Sequence, residues 1–520
     1  AGGTVTSNGG ILASGLVLKG GTLGGTSATV LAGHAITLDG VTLAADLTVN
    51  NSAGVTALNG LTLADATVTL ADTSNSSGAR LEFAGTQTLG GTGDVLFAGT
   101  SGLNYVRATT GTLTLGAGIT VHGSQNGTVG ASGLALVNEG TIRAATAGKT
   151  LTVLGSTVTN RGTILVDAGS LLSGELTLAG GTVTSNGGIL ASGLVLKGGT
   201  LGGTSATVLA GHAITLDGVT LAADLTVNNS AGVTALNGLT LADATVTLAD
   251  TSNSSGARLE FAGTQTLGGT GDVLFAGTSG LNYVRATTGT LTLGAGITVH
   301  GSQNGTVGAS GLALVNEGTI RADTATKTIT VLSLTNSGTL EASNGGRLAW
   351  SNAGTNSGTI SLGADSTLGG SGTLTDAGGT VTSNGGILAS GLVLKGGTLG
   401  GTSATVLAGH AITLDGVTLA ADLTVNNSAG VTALNGLTLA DATVTLADTS
   451  NSSGARLEFA GTQTLGGTGD VLFAGTSGLN YVRATTGTLT LGAGITVHGS
   501  QNGTVGASGL ALVNEGTIRA

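Results

Sequence analysis

The sequence predicts an all-β chain wound as a right-handed parallel β-helix, a β-solenoid of about 20 residues per coil. Three observations predict it. The phrase Asn-x-Gly-Thr-(Ile/Leu) returns at a fixed interval, as Asn316-Glu317-Gly318-Thr319-Ile320, Asn336-Ser337-Gly338-Thr339-Leu340 and Asn356-Ser357-Gly358-Thr359-Ile360. Between returns, apolar and polar residues alternate at period two, the spacing of a strand with one buried face. The composition then favours strands over helices: 40% of residues are hydrophobic and 98 of 520 are Gly. Scattered Gly and β-branched residues weaken any helix. The right hand follows the general preference of parallel crossovers.

The elements follow in order. Residues 1–144 recur unchanged at 179–322 and at 377–520. The spacers are 145–178 and 323–376, and the second is longer than the first by one return of the phrase. Inside the first copy, threonines at 4, 22, 42, 62, 88, 112 and 141 mark the beat, and the steps from 62 to 88, 88 to 112 and 112 to 141 are the long ones. The series continues through Thr163 to Thr182, and from Thr319 through Thr339 and Thr359 to Thr380. The spacers keep the beat, so they are expected to be solenoid coils, giving roughly 24 coils in a continuous rod.

In "GTLTLGAGITVHG", Leu113, Leu115, Ile119 and Val121 should point inward and Thr112, Thr114 and Thr120 outward. Leu23, Leu43 and Leu63 should stack in one apolar ladder. Asn138, Asn160, Asn316, Asn336, Asn356 and Asn514 should form a corner ladder, amide bonded to amide from coil to coil. The Gly after each Asn permits a left-handed corner, and the Thr opens the next strand. At ~4.8 Å per coil this is a rod of roughly 115 Å, with copies roughly 38 and 43 Å apart. A one-coil difference between spacers should preserve register, so the loops of all three copies are expected on the same side. The absence of Pro fits a fold whose strands pair on both edges.

Composition excludes several functions. The net charge of −11 is spread thinly over 520 residues with no basic cluster, which argues against nucleic acid and anionic membranes as partners. No apolar run approaches the ~18 residues of a membrane span. With no Cys there is neither a disulfide nor thiol chemistry. No Met and no signal peptide are present, so an internal section of a longer polypeptide is expected. Bare coil edges at its ends would then be capped elsewhere or would pair end to end with a second copy.

The phrases "NEGTIRA", "NRGTILV", "NSGTLEA" and "NSGTISL", with Gly/Thr/Asn-rich coils and no Cys, carry a family likeness. The chain resembles the large secreted β-helical exoproteins of Gram-negative bacteria, the filamentous-haemagglutinin-like adhesins and autotransporter passenger domains. The resemblance extends over most of the chain and marks fold and secretion style more than ligand. It implies a rod at the surface of a Gram-negative bacterium or released from it, serving attachment, aggregation or biofilm matrix. The expected role is mechanical, with self-contacts along or between filaments.

A second reading makes the protein a multivalent glycan-binding array. The long steps place loops at "ADTSNSSGAR" (71–80), "AGTSGLNYVRATTG" (98–111) and "HGSQNGTVGASG" (122–133). Asn104, Tyr105 and Arg107 combine an aromatic face with hydrogen-bonding groups, and His122, Gln125 and Asn126 should lie one coil away. The repeats add Asn282, Tyr283 and Arg285, and Asn480, Tyr481 and Arg483. The competing structural reading has Tyr105 covering a widened core and the polar groups satisfying loop backbone.

Catalysis is not expected. Polysaccharide-active β-helices need carboxylates converging on one face, and each copy offers only Asp39, Asp46, Asp65, Asp72, Glu82, Asp94 and Glu139. Asp46 and Asp65 fall near equivalent positions on adjacent coils, where a pair could share a proton or hold a cation. Asn59, one beat after Asp39, more simply extends a corner ladder. No cofactor or metal is expected, because His34 and His122 show no ligand spacing. Ice binding would need a Thr-x-Thr pair at one position in many successive coils, and Thr67/Thr69 and Thr112/Thr114 sit at different offsets. Trp350 reads as a core filler.

Overall fold

The computed structural model describes residues 2–74, 76–252, 254–450 and 453–520. Among them there is no helix, and every pairing between strands is parallel. The chain is a parallel β-solenoid of about 24 turns, about 21 residues apart. It divides into two compact units, Ala1–Thr247 and Leu248–Ala520. No helix among the described residues is long and apolar enough to cross a membrane.

The simplest coil in the first unit is the strands Thr141–Ala144, Thr150–Leu154 and Thr157–Asn160, after which Thr163–Val166 begins the next turn. In the second unit Thr339–Ala342, Arg347–Ser351 and Gly354–Asn356 make the equivalent coil. Each strand is short because each face holds two inward side chains before a corner. Ile142 and Ala144, Leu151 and Val153, and Val158 and Asn160 point inward and are buried. The predicted alternation holds at Leu113, Leu115, Ile119 and Val121, all buried. Leu23, Leu43 and Leu63 stack as expected. Trp350 is buried, and its Nε1 donates to Gly372 O at 2.9 Å.

The amide ladder is present. In the first unit Asn138 Nδ2 donates to Asn160 Oδ1 at 2.7 Å. In the second, Asn316 donates to Asn336 at 2.7 Å, Asn336 to Asn356 at 2.8 Å, and Asn356 to Asp376 Oδ1 at 3.2 Å. The five asparagines are 0% exposed, so each bond replaces water that cannot reach the site. Asp376 can only accept, so it ends the run of amides and turns it to the backbone by accepting from Gly379 N at 3.0 Å. Asn514 pairs in register with Leu491 and is exposed.

The threonine beat is only partly the one that the sequence suggests. Thr4, Thr22, Thr42 and Thr62 do stack. The next residue in that column is Gly90 and not Thr88, while Thr88 pairs with Thr114 and Thr112 with Ala135. The cause lies in Gly54–Asp72, a long strand that runs through two corners. Asn59 (φ 51°) and Asp65 (φ 54°) make those corners in left-handed conformations that Asn and Asp tolerate. Residues are gained at such bends, so equal spacing in sequence stops meaning equal position in the coil.

An unbroken threonine column does exist. It comprises Thr120, Thr141, Thr163, Thr182, Thr200, Thr220 and Thr240, in consecutive coils of the first unit. Thr298, Thr319, Thr339, Thr359 and Thr380 repeat it in the second.

That column also shows that identical copies do not occupy identical positions. Thr182, the counterpart of Thr4, stands on Thr163, in the column that holds Thr67, Asp94 and Thr120 in the first copy. Thr4's own column leads to Gly90. Lys197, the counterpart of Lys19, likewise stands on Thr177, which stands on Thr159. In the second unit Thr380 stands on Thr359 and Lys395 on Thr375 in the same way. Each junction therefore advances the repeat by one of the three strands in a coil. The extra coil of the longer spacer leaves this step unchanged. The expectation of loops on one side is corrected accordingly within each unit, because the copy that begins there stands one strand round from the copy that ends there.

Candidate functional site

The long coils build one ridge. The turns at 76–78, 100–103 and 124–126 lead into the strands Ala79–Ala84, Asn104–Thr110 and Gly127–Gly130, which stack in register. Asn75, Asn253, Asn451 and Ser452, from the first predicted loop and its copies, lie outside the described residues. The stretch 122–133 is not one loop, because Gly127–Gly130 is a strand between two turns. Exposed Ser74, Ser76, Ser77, Thr100, Ser124 and Asn126 line the crest.

Asn104 does not reach that crest. It is 0% exposed; its Oδ1 accepts from Asp72 N at 3.2 Å, and its Nδ2 reaches Ala98 O, Ser101 O and Asn126 O at 3.1–3.4 Å. This amide holds two successive turns together, as Asn282 and Asn480 do in the other copies.

Arg107 and Tyr105 are half-buried neighbours on the outward side of one strand. The guanidinium lies 4.9 Å from the Tyr105 ring centroid, and its Nε and Nη2 donate to Glu82 Oε1 at 3.0 and 2.6 Å. Arg285 with Tyr283 and Glu260, and Arg483 with Tyr481 and Glu458, repeat the arrangement. Such partly exposed pairs contribute about 0.2–1 kcal/mol each, so their main effect is to fix the register of a coil several residues longer than the others. In the sequence Glu82 reads only as a stray carboxylate. The signal that could have found it is an opposite charge, Arg107, one long coil further on.

His122 Nε2 is 3.6 Å from Asp94 Oδ1 on the preceding coil, away from the ridge crest. In the second copy His300 lies between Asp272, at 3.7 Å, and the spacer residue Asp323, at 3.3 Å. Gln125 Oε1 accepts from Asn126 N at 3.2 Å, and Asn126 Oδ1 accepts from Thr150 N at 2.8 Å. Of the predicted ligand-binding residues, then, the structure gathers Tyr105, Arg107, Gln125 and Asn126 on one ridge. It withdraws Asn104 into the core and places His122 elsewhere.

The suggested carboxylate pair does not form. Asp46 accepts from Thr67 N at 2.9 Å, while Asp65 is displaced into its bend and accepts from Thr92 Oγ1 at 2.5 Å. Asn59 Nδ2 donates to Asp39 Oδ1 at 2.6 Å, the cross-coil bond expected there. Among the described residues no three His, Cys, Asp or Glu side chains gather closely enough to hold a metal.

At the first junction Lys197 donates to Glu175 one coil earlier, and this bond, then the Glu175 charge, raises the lysine's pKa above its ordinary value of 10.5. A raised lysine pKa stabilises the fold at pH below the unfolded value, and that contribution disappears as pH rises through the folded value. Hydrogen-exchange rates in the coils of residues 175 and 197 should therefore differ slightly between the wild type and Glu175→Gln at neutral pH. They should converge above the lysine range.

The fold and its bonding define the chain as a parallel β-solenoid whose polar side chains chiefly join one coil to the next. No known family model matches the chain, and no curated protein is detectably similar to it.

Proposed function

We propose that the chain is a structural section of an extracellular fibrous adhesin or biofilm-matrix filament of a Gram-negative bacterium. It acts as a stiff, repetitive spacer for attachment or aggregation. The observation that carries this reading is the commitment of chemically capable side chains to coil-to-coil bonding: Asn104 to Asp72 N on one side and Asn126 O on the other, Arg107 to Glu82, and the corner asparagines to one another. A solenoid joined this way resists bending and extension, and each added coil lengthens it by ~4.8 Å. Secretion and cell-surface placement rest on the resemblance of the Asn-x-Gly-Thr coils to secreted exoproteins. The exposed hydroxyls and amides of the ridge favour a second role, contact with cell-surface or matrix glycans.

Two variants displayed on cells test the reading. One lacks 179–376, which joins Leu178 to Ala377 and recreates the junction that Leu178 already makes with Ala179. The other carries Ala at Tyr105, Arg107 and their two copies. The shortened chain should lose most attachment and aggregation, and the full-length ridge variant should keep them. The opposite result would make Tyr105 and Arg107, which stand beside the exposed hydroxyl crest of the ridge, the active element and the rod their support.

A further inference from the structure

The unit Leu248–Ala520 contains the ridge twice, once from the second copy and once from the third. The strand of Tyr283 is covered by Thr306, Thr330, Ala349 and Gly369 in turn. The same strand continues from Leu368, the inward neighbour of Gly369, through Leu388, Val406, Val425 and Leu446 and arrives at Phe473. It does not arrive at Tyr481. Tyr481 stands on Arg456, whose column descends through Gly430 and Ala411. That strand continues the one holding Val393, Thr373 and the amide ladder of Asn356, Asn336 and Asn316. The two ridges have the same sequence, lie about nine coils or roughly 45 Å apart, and emerge from different sides of the coil.

We propose that this one-strand step makes the protein a bridging filament, whose successive ridges engage glycan chains on different sides so that one molecule joins two glycan-bearing surfaces. The proposal rests on the adhesive reading above and on its second role, glycan contact by the exposed crest, which the change of Tyr105 and Arg107 to Ala leaves in place. The ridge chemistry suits sugars: Ser254, Ser255, Thr278 and Asn304 present exposed hydroxyl and amide groups. The ridge's carboxylate, Glu260, lies 3.8 Å from Arg258 and 2.6 Å from Arg285, so both cations are paired to it and a single surplus positive charge remains, a weak attractant for a polyanion. Linked sites gain avidity only where geometry allows both to engage. A step between ridges permits this on two surfaces at once and prevents it on one flat surface.

The test uses the full chain with a monovalent antibody fragment raised against the folded ridge, alongside cells displaying the chain. Electron microscopy should show the two fragments on the second unit leaving in directions about a third of a turn apart. Ser254→Arg and Ser255→Arg, with Ser453→Arg, obstruct these two ridges at exposed positions and leave the first copy intact. Cells with this variant should still attach to a surface coated with their own purified polysaccharide, while cell–cell aggregation falls at least tenfold. Fragments leaving on one side, or aggregation as strong as in the wild type, would overturn the bridging proposal alone. If cells with the intact chain neither attach nor aggregate, the adhesive reading itself fails, whatever the fragment directions.

Discussion

Gly127→Ala should destabilise its coil by about 3 kcal/mol, at the upper end of what overpacking costs. The backbone there is ordinary, so the penalty comes from space: an added Cβ would lie 1.9 Å from Cδ2 and 2.2 Å from Cε2 of Phe97. Phe97 is buried, so its ring cannot make room by swinging into solvent. Phe97→Ala alone should cost about 3–5 kcal/mol as a large-to-small core change. The two together should cost clearly less than their sum, because the new methyl enters the space that the ring leaves. Phe275 with Gly305 and Phe473 with Gly503 repeat the contact, so the same pair can be tested in each copy. Hydrogen exchange on the strands around residue 127 is the appropriate readout. A solenoid opens locally, and a global melting point averages over coils that the change never touches. A fully additive pair would show that the contact is not what makes glycine necessary.

Asn336→Ala should cost about 2–3 kcal/mol, locally, with increased exchange in the coils on either side. The change removes the bond from Asn316 and the two that Asn336 donates, to Asn356 Oδ1 and Gly338 O. The groups left behind are buried, so they lose a partner without gaining water. Asn316 still reaches Gly318 O and Thr339 O, which is why the loss should stay near ~3 kcal/mol and not rise further. Asn126→Ala, at an exposed turn, is the comparison and should cost well under ~1 kcal/mol. An equal effect at both positions would mean that the amide ladder adds nothing beyond ordinary turn formation.

Much of this architecture was legible in the sequence. The Asn-x-Gly-Thr phrase identified the corner, and the inward leucines identified the core. The glycine of the phrase is not left-handed; it is required by space, since a Cβ at Gly338 would lie 2.2 Å from Gly318 O of the coil before. The failures of register have one source. Thr88 satisfies the same local pattern as Thr62, yet the bends at Asn59 and Asp65 shift it away from that column. Counting residues reveals the length of a coil but not which of three strands a corner begins. For that reason neither the displacement at Gly90 nor the step between copies was visible. The ridge was partly legible for a related reason. Tyr105 and Arg107 sit outside and Asn104 inside, as alternation with Val106 and Ala108 requires; what the alternation does not reveal is the set of turn carbonyls that bonds the buried amide.

The copies are identical, and each junction repeats the same one-strand advance. Unequal recombination between two copies of the gene segment would therefore add or remove one whole copy with its spacer, and every seam in the product would be one the protein already tolerates. A population of cells could then vary the length of its filaments by a single genetic event, without passing through a misfolded intermediate. Each such change would also alter the directions from which a neighbour can be reached.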